Sequence, residues 1–384
     1  MKKNLIALAI LGAFSGAALA QSNVTLYGIL DVNFQYNDPE GSGISSTRGI
    51  NGGHQSGNRW GVRGSEALSP NLNAVFTLEG GFDIDTGMQG QGSRLWGRQA
   101  WAGLSGGWGT VVAGRVATFS SGTGSFDMFG NTDPFLTGFG DASLGSTFTS
   151  AGALRLDNSV LYQSNTYGGF KFGAGYSFNG NGQEAAGSGN NNRVLFLGAS
   201  FARGPFFAAI TYDAIDLNDA GVAGTATTPA ILPNAQDEKH LQIGLTFDLK
   251  FVKLHAGYAK EDDVYLTSGL TVAATAPDAG ADADSWMLGV TVPLLGGSLL
   301  GSYQKRDGDI VNACFGGFTP AGACAVALSP RERDIDVWAI GYTYPLSRRT
   351  NLYATFSDRD GEQSINNNAT IDRKQYTVGV RHLF

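Results

Sequence analysis

Apolar and polar residues alternate along most of this chain with a period of two. Within residues 24–36, Val24 and Leu26 share one phase, whereas Thr25 and Asp31 share the other. Successive side chains of a β-strand point to opposite faces, so this period predicts a strand with one apolar and one polar face. Further runs of the same kind lie at 57–68, 71–85, 93–105, 109–118, 154–165, 169–179, 192–203, 205–215, 238–249, 251–262, 284–294, 297–306, 334–345, 350–359 and 373–384. The pattern therefore predicts an all-β fold of about sixteen strands.

The links between these runs alternate in length. Short links such as Ser69-Pro70 and Gly204 take turns with long polar links such as 216–237 and 307–333. Short turns at one rim and long loops at the other are typical of a transmembrane barrel, and only a closed barrel satisfies the backbone of two-faced strands in lipid. We therefore expect a transmembrane β-barrel of about 16 antiparallel strands, which is too wide for side chains to fill and encloses an aqueous channel.

Residues 1–20 have the pattern of a cleavable export signal. Lys2 and Lys3 precede an apolar stretch at 5–17, and the small-residue sequence ALA at 18–20 offers a cleavage site. The remainder contains no apolar run near the roughly 20 residues that a spanning helix needs. We expect a signal peptide at 1–20 and a single barrel domain at 21–384, exported to the outer membrane of a Gram-negative bacterium.

Composition narrows the classes of function. Charged residues make up 15% of the chain and the formal net charge is −7, so nucleic acid is not an expected partner. The 56 glycines are about twice the usual share, which indicates turns and close packing on a barrel wall. Cys314 and Cys324 lie in a stretch rich in glycine, proline and alanine, and in an oxidising compartment a disulfide that closes this loop is the favoured interpretation.

The segment 119–153 is too apolar for an ordinary surface loop. Its large apolar residues are Phe119, Phe126, Met128, Phe129, Phe135, Phe139 and Phe148. Such a surface is unfavourable in water, and a structureless segment of this length is usually functional. Folding inward against the barrel wall would bury the aromatic rings and narrow the lumen. The alternative is an apolar lid that packs on a neighbouring subunit.

Candidate catalytic motifs are incomplete. The sequence DTG at 85–87 is one half of an aspartic protease pair, but no second Asp-Thr/Ser-Gly occurs. None of the four histidines has a recognisable serine or acidic companion motif. The acidic run Glu261-Asp262-Asp263 is interpreted as a solvated face, so no metal site is predicted. Neither an enzyme nor a cofactor is expected.

Four stretches carry a resemblance to a known family. They are residues 24–28 (VTLYG), 98–104 (RQAWAGL), 157–162 (DNSVLY) and 378–384 (VGVRHLF). They lie in order across the chain, and together they resemble the trimeric general porins of Gram-negative bacteria, especially the betaproteobacterial and Neisseria type. The resemblance implies a sixteen-stranded barrel, a homotrimer and a third loop that folds into the pore as its constriction.

The resemblance also implies a set of constriction residues. In the family a ladder of wall arginines faces the inward loop, and Arg59, Arg98 and Arg155 stand at matching strand positions in the lumen phase. The family's acidic Pro-Glu-Phe-Gly turn corresponds here to 127–130 (DMFG), so its carboxylate is shifted or lost. The loop residues expected at the constriction are Phe126, Asp127, Phe129, Gly130 and Asp133. Three guanidinium groups about 5 Å from an anion would stabilise it by roughly 2 kcal/mol before salt screening, which predicts a weak anion preference.

We interpret the chain as a porin for passive diffusion of small hydrophilic solutes and ions. The expected partners are two further copies of the chain, outer-membrane lipid and lipopolysaccharide, and the barrel assembly machinery, for which the family's terminal aromatic, here Phe384, would be the signal. The alternative is a substrate-specific channel for organic acids or sugars, in which saturable binding sets the flux.

Overall fold

The computed structural model describes most of the chain after the expected signal peptide. The described residues are 23–40, 45–136, 138–148, 155–180, 182–184, 186, 191–216, 237–264, 266–267, 270–271, 281–308, 314–318, 324–327, 334–361 and 372–384. The predicted signal peptide at 1–20 lies outside them. Among the described residues, no helix is long and apolar enough to cross a membrane.

Antiparallel β-strands make up most of the described chain, as the two-residue period predicts. The strands are β1 (Asn23–Pro39), β2 (Thr47–Gly52), β3 (Arg59–Ser69), β4 (Leu72–Gly81), β5 (Gln99–Gly106), β6 (Gly109–Ala117), β7 (Arg155–Gln163), β8 (Phe170–Ser177), β9 (Arg193–Arg203), β10 (Phe206–Asp216), β11 (Glu238–Asp248), β12 (Lys253–Val264), β13 (Leu266–Thr267), β14 (Leu270–Thr271), β15 (Ala281–Leu294), β16 (Gly297–Gly308), β17 (Cys314–Phe318), β18 (Cys324–Ala327), β19 (Ile335–Pro345), β20 (Thr350–Gly361) and β21 (Arg373–Leu383). A short helical turn at Gly90–Ser93 and 3₁₀ turns at Gly130–Thr132, Gly140–Ala142 and Leu144–Ser146 complete the elements.

The main sheet has sixteen positions around the barrel. It contains 17 strands, but β1 pairs along its first half with β3 and along its second half with β2. Because β2 and β3 therefore share one position, the predicted 16-stranded antiparallel barrel is confirmed. The short pairs β13–β14 and β17–β18 form two separate two-stranded sheets.

Pairing between the first and last strands closes the barrel. Ile29 to Pro39 of β1 pair with β21. Phe384 extends this seam, because its N–H donates to the Gly28 carbonyl at 3.1 Å and its carbonyl accepts the Gly28 N–H at 3.2 Å. The Phe384 ring lies over Gly28, where any Cβ would overlap it. The last residue of the chain is thus part of the closing ladder.

The strands differ from the predicted boundaries in several places, and the short strands β13, β14, β17 and β18 lie inside predicted loops. The predicted strands 71–85 and 93–105 are shorter, because β4 ends at Gly81 and β5 begins at Gln99. In addition, β2 lies inside the predicted loop 38–56. The six residues of β2, TRGING, do not alternate with apolar ones, so the two-residue period gives no signal there.

The two faces of the barrel differ in polarity. Large apolar side chains such as Leu26, Phe172 and Leu245 remain exposed on the outer surface. Polar side chains such as Gln99 and Gln242 are buried on the inner face. This distribution suits an outer surface in contact with lipid and a polar interior.

Candidate functional site

The link between β6 and β7 folds into the barrel. Its described residues, 118–136 and 138–148, are called here the inner loop. The six phenylalanines of the inner loop are at most 6% exposed: Phe119, Phe126, Phe129, Phe135, Phe139 and Phe148. They pack in three apolar clusters with wall residues such as Phe196, Met287 and Tyr353. The inward position predicted from the aromatic content is therefore confirmed, and the alternative of an outer lid is wrong.

Glycines on the inner wall allow this close packing. A Cβ at Gly198 would lie 2.8 Å from Phe119 and 3.0 Å from the sulfur of Met128, and a Cβ at Gly244 would overlap Thr132. Further wall glycines contact the inner loop in the same way: Gly173, Gly257, Gly289 and Gly341. Because these positions lack a side chain, the loop lies close against the backbone of the wall.

Hydrogen bonds hold the inner loop at both ends. Near its start, Ser120 Oγ donates to Asp213 Oδ2 at 2.5 Å. Near its end, Thr147 Oγ1 donates to Gln304 Oε1 at 2.8 Å, and Arg306 Nη1 donates to the Thr147 carbonyl at 3.0 Å. These wall residues lie on β10 and β16, so the loop is fixed to the inner wall at two separate positions.

The predicted loop carboxylates accept hydrogen bonds from backbone N–H groups of the loop itself. Asp127 accepts N–H groups from Gly122 at 2.8 Å and Gly130 at 2.9 Å. Asp133 is fully buried and accepts N–H groups from Phe135 at 2.8 Å and Leu144 at 3.0 Å. Burial raises the pKa of Asp127 to about 6. Both side chains therefore shape the loop, in contrast to the water-facing role implied by the resemblance.

A third loop carboxylate pairs with the wall. Asp141 forms ion pairs with Arg373 and, at 3.5 Å, with Arg359. These arginines lie on β21 and β20. The charge of Asp141 is thus compensated locally, so it adds little to the field in the lumen.

Two predicted arginines meet at Glu79 on the barrel wall. Arg98 Nε donates to Glu79 Oε1 at 2.8 Å, and Arg59 Nη1 lies 4.0 Å from the same oxygen. A Cβ at Gly57 would lie 3.1 Å from Arg98 Nη1 and 3.9 Å from Arg59 Nη2, so both guanidinium groups approach one backbone carbon. Arg98 Nη2 also donates to Thr123 Oγ1 at 3.1 Å, which connects this pair to the inner loop.

The third predicted arginine belongs to the same group. Arg155 lies within electrostatic range of Arg98, Arg59, Arg115 and Glu79. Among the described residues, its guanidinium group has no ion-pair partner within 4 Å. We call Arg59, Arg98, Arg115 and Arg155 the arginine cluster. Four positive charges thus converge where the sequence predicts three.

Sequence reasoning missed several members of this site. Arg115 lies on β6 and donates to Asp157 Oδ1 at 2.6 Å, and Arg94 reaches the same carboxylate at 2.7 Å from the link before β5. Glu79 is almost fully buried between two arginines. The available signal was weak: Glu79 is a lone carboxylate in the lumen phase of a strand that pairs with β3, which begins at Arg59, and with β5, which begins one residue after Arg98.

Comparison with known proteins identifies the family. The chain matches the model of the Gram-negative porin family over residues 7–382. An outer membrane porin protein of Bordetella pertussis is 35% identical over 100% of this chain and 100% of its own. The chain belongs to the Gram-negative porins. Outer membrane porin protein 32 of Delftia acidovorans is 30% identical to this porin over 93% of this chain and 89% of its own.

Solved structures show the same fold. The anion-selective porin from Comamonas acidovorans superimposes with a TM-score of 0.69 at 22% identity, over 95% of this chain and 100% of that chain. At this identity the likeness shows the fold alone. This porin is accordingly a β-barrel channel of the Gram-negative outer membrane, and it is not an enzyme.

The remaining predicted site residues lie away from the arginine cluster. Phe384 lies at the barrel seam, beside Gly28. Cys314 and Cys324 lie on β17 and β18, whose backbones pair with each other. Their side chains fall outside the described part of the chain, so the disulfide stays a prediction.

Proposed function

We propose that this porin is a passive diffusion channel with a weak preference for anions. The observation that carries the proposal is the charge of the arginine cluster: among the described residues, Arg59, Arg98 and Arg155 face one nearby carboxylate, Glu79. Arg115 and Arg94 share the carboxylate of Asp157. The net charge of this wall is therefore positive.

The inner loop does not cancel this charge. Asp127 and Asp133 are held by backbone N–H groups, and Asp141 is paired with wall arginines. Because arginine keeps its proton at any working pH, the positive wall persists across the physiological range. A structurally similar porin from Comamonas acidovorans is described as anion-selective, which is in line with this proposal.

The placement of the aromatic residues does not favour a saturable site for sugars. A sugar-specific channel needs a track of aromatic faces along the lumen, whereas the phenylalanines of the inner loop are buried against the wall. The zero-current potential across a bilayer with a salt gradient tests the anion preference directly. A potential of cation sign would contradict it.

We further propose that the porin assembles as a homotrimer. The outward faces near both chain ends are strongly apolar: Val24 and Leu26 are 63% and 62% exposed in the single chain, and Val378 is 54% exposed. Packing these faces together would remove a continuous apolar surface. A structural neighbour, OmpT of Vibrio cholerae, is known in a trimer form. Protein extracted in mild detergent should migrate near three times the monomer mass and shift down on boiling; monomer alone in several mild detergents would contradict the proposal.

A further inference from the structure

A separate cavity lies in the lumen between the inner loop and the short-turn rim. Its volume is about 480 Å³. Its walls include the starts of β12 and β16, the turn between β19 and β20, and the underside of the inner loop. This volume lies within the roughly 300–1,000 Å³ that is typical of small-molecule sites.

One side of the cavity is cationic. Four basic residues line it: Lys253, Arg348, Arg349 and Arg381. Arg381 is oriented by two neutral acceptors, Ser56 Oγ at 3.0 Å and Asn351 Oδ1 at 3.1 Å. Within the described part of the chain, none of the four has a carboxylate within 4.0 Å. The one acidic residue in the lining, Asp133, is fully buried and bonded to backbone N–H groups.

The lining of the cavity also includes an exposed apolar side chain. Leu136, on the inner loop, is 55% exposed although the neighbouring loop residues Phe135 and Phe139 are buried. Its φ of +52° is in the left-handed region. A bulky residue is uncommon there, whereas glycine and asparagine adopt this conformation readily. An exposed leucine is thus held in an unfavourable backbone conformation beside four cations, and strained residues of this kind cluster at binding sites.

We propose that this cavity binds amphiphilic organic anions, meaning a carboxylate that carries an apolar body. The carboxylate lies between Arg381 and the pair Arg348 and Arg349, where planar guanidinium groups provide bidentate donors. The apolar body packs on Leu136 and Leu383. The proposal deepens the channel function, on which it rests, because such solutes reach the cavity through the pore.

The test is the inhibition of single-channel chloride current by three small probes. Benzoate has both the charge and the apolar body, acetate has only the charge, and benzamide has only the apolar body. With each probe present at equal concentration on both sides of the bilayer, benzoate should reduce the current at the lowest concentration. Equal inhibition by benzoate and acetate would overturn the proposal, because charge alone would then explain the effect.

Two substitutions of Leu136 and one control substitution test whether benzoate binds in this cavity. Leu136→Asn removes the apolar contact and suits the left-handed backbone, so folding should be retained; Leu136→Gly is the second variant with the same property. Each should raise the half-inhibiting benzoate concentration by about fivefold or more. The control is Leu346→Asn, because Leu346 is 56% exposed and does not line the cavity. Equal sensitivity of all variants to benzoate would overturn the proposal.

Conductance and zero-current potential without probe are recorded for each variant. These two measurements test the proposed channel function and the anion preference set by the arginine cluster. They therefore separate a failure of the proposed function from a failure of the proposed benzoate site. Replacing Arg348 and Arg349 together by glutamine should weaken benzoate inhibition and leave the weak effect of benzamide unchanged. An unchanged response to benzoate would contradict the assigned carboxylate position.

Discussion

Replacing Arg59, Arg98 and Arg155 together by serine should reverse the charge preference of the pore. In the native wall these three charges face Glu79, which leaves a net charge of two. At about 5 Å in the dielectric of water each unit charge contributes roughly 0.8 kcal/mol, so the native field stabilises an anion by about 1.7 kcal/mol before screening. A Debye length of about 8 Å in physiological salt reduces this to about 0.9 kcal/mol, or roughly a fourfold enrichment of anions.

The triple variant leaves Glu79 as the main charge on this wall. The screened field then favours cations by about 0.4 kcal/mol, roughly a twofold enrichment. The assay is the zero-current potential of single channels in asymmetric potassium chloride. Folding of the barrel is first checked by electrophoresis, in which the folded protein changes its migration on heating. The potential should change sign, and the conductance should rise because three large side chains have left the constriction.

The control removes the same number of positive charges elsewhere. Arg48, Arg203 and Lys239 are exposed and lie outside the arginine cluster. Their joint replacement by serine should leave the sign of the potential unchanged. If instead the cluster variant is folded and keeps the native potential, the field is set at the mouths of the channel and not by Arg59, Arg98 and Arg155.

Three further predictions concern the termini, the loops and pH. Cys314 and Cys324 should be joined, since closing a loop of about ten residues contributes roughly 3 kcal/mol by chain-entropy estimates; thiol labelling of denatured, unreduced protein should find no free thiol, and two reactive thiols would contradict the pairing. Deleting Phe384, which completes the seam at Gly28, should sharply lower the yield of folded trimer in cells while purified protein still refolds in detergent; normal assembly in cells would leave only a packing role. Because the pKa of Asp127 is raised from 3.8 to about 6, the folded protein binds this proton more tightly than the unfolded chain does. Its contribution to stability should therefore fall by about 3 kcal/mol as pH rises from about 4 to about 6 and stay constant above; the melting temperature of the wild type relative to Asp127→Asn checks this, and parallel pH profiles would contradict it.

Much of the barrel could be predicted because every strand is under the same constraint, with one face towards lipid and the other towards water. A strand that separates lipid from water must alternate apolar and polar side chains, so the period of two reports both the element and its orientation. The same alternation is enough to assign Arg59 and Arg155 to the lumen face of their strands. It is not enough for Arg98, which precedes β5, because the inward phase of β5 is carried by Gln99 and by Trp101, which packs on Phe126 of the inner loop. The aromatic content of the inner loop predicted its position, since buried phenylalanines need a wall to pack against.

The pairing of charges could not be predicted in the same way. Which side chains meet across strands depends on the register. Glu79 becomes the partner of Arg98 because the register of β4 and β5 pairs Glu79 with Gln99, the residue after Arg98. The role of Asp127 depends on the backbone path of residues 122–130, which the sequence pattern does not specify. Likewise β2 was missed because its sequence shows no apolar alternation.

We propose that the lumen of this porin is water-filled and carries a net positive charge on its wall, and that simple ions diffuse through it without saturable binding. Single-channel recording of the wild type over a wide range of potassium chloride concentrations, followed by a salt gradient, tests it most directly. Conductance should rise in proportion to salt concentration, and the zero-current potential should have the sign of a chloride preference. Conductance that saturates at low salt, or a potential with the sign of a potassium preference, would contradict the account.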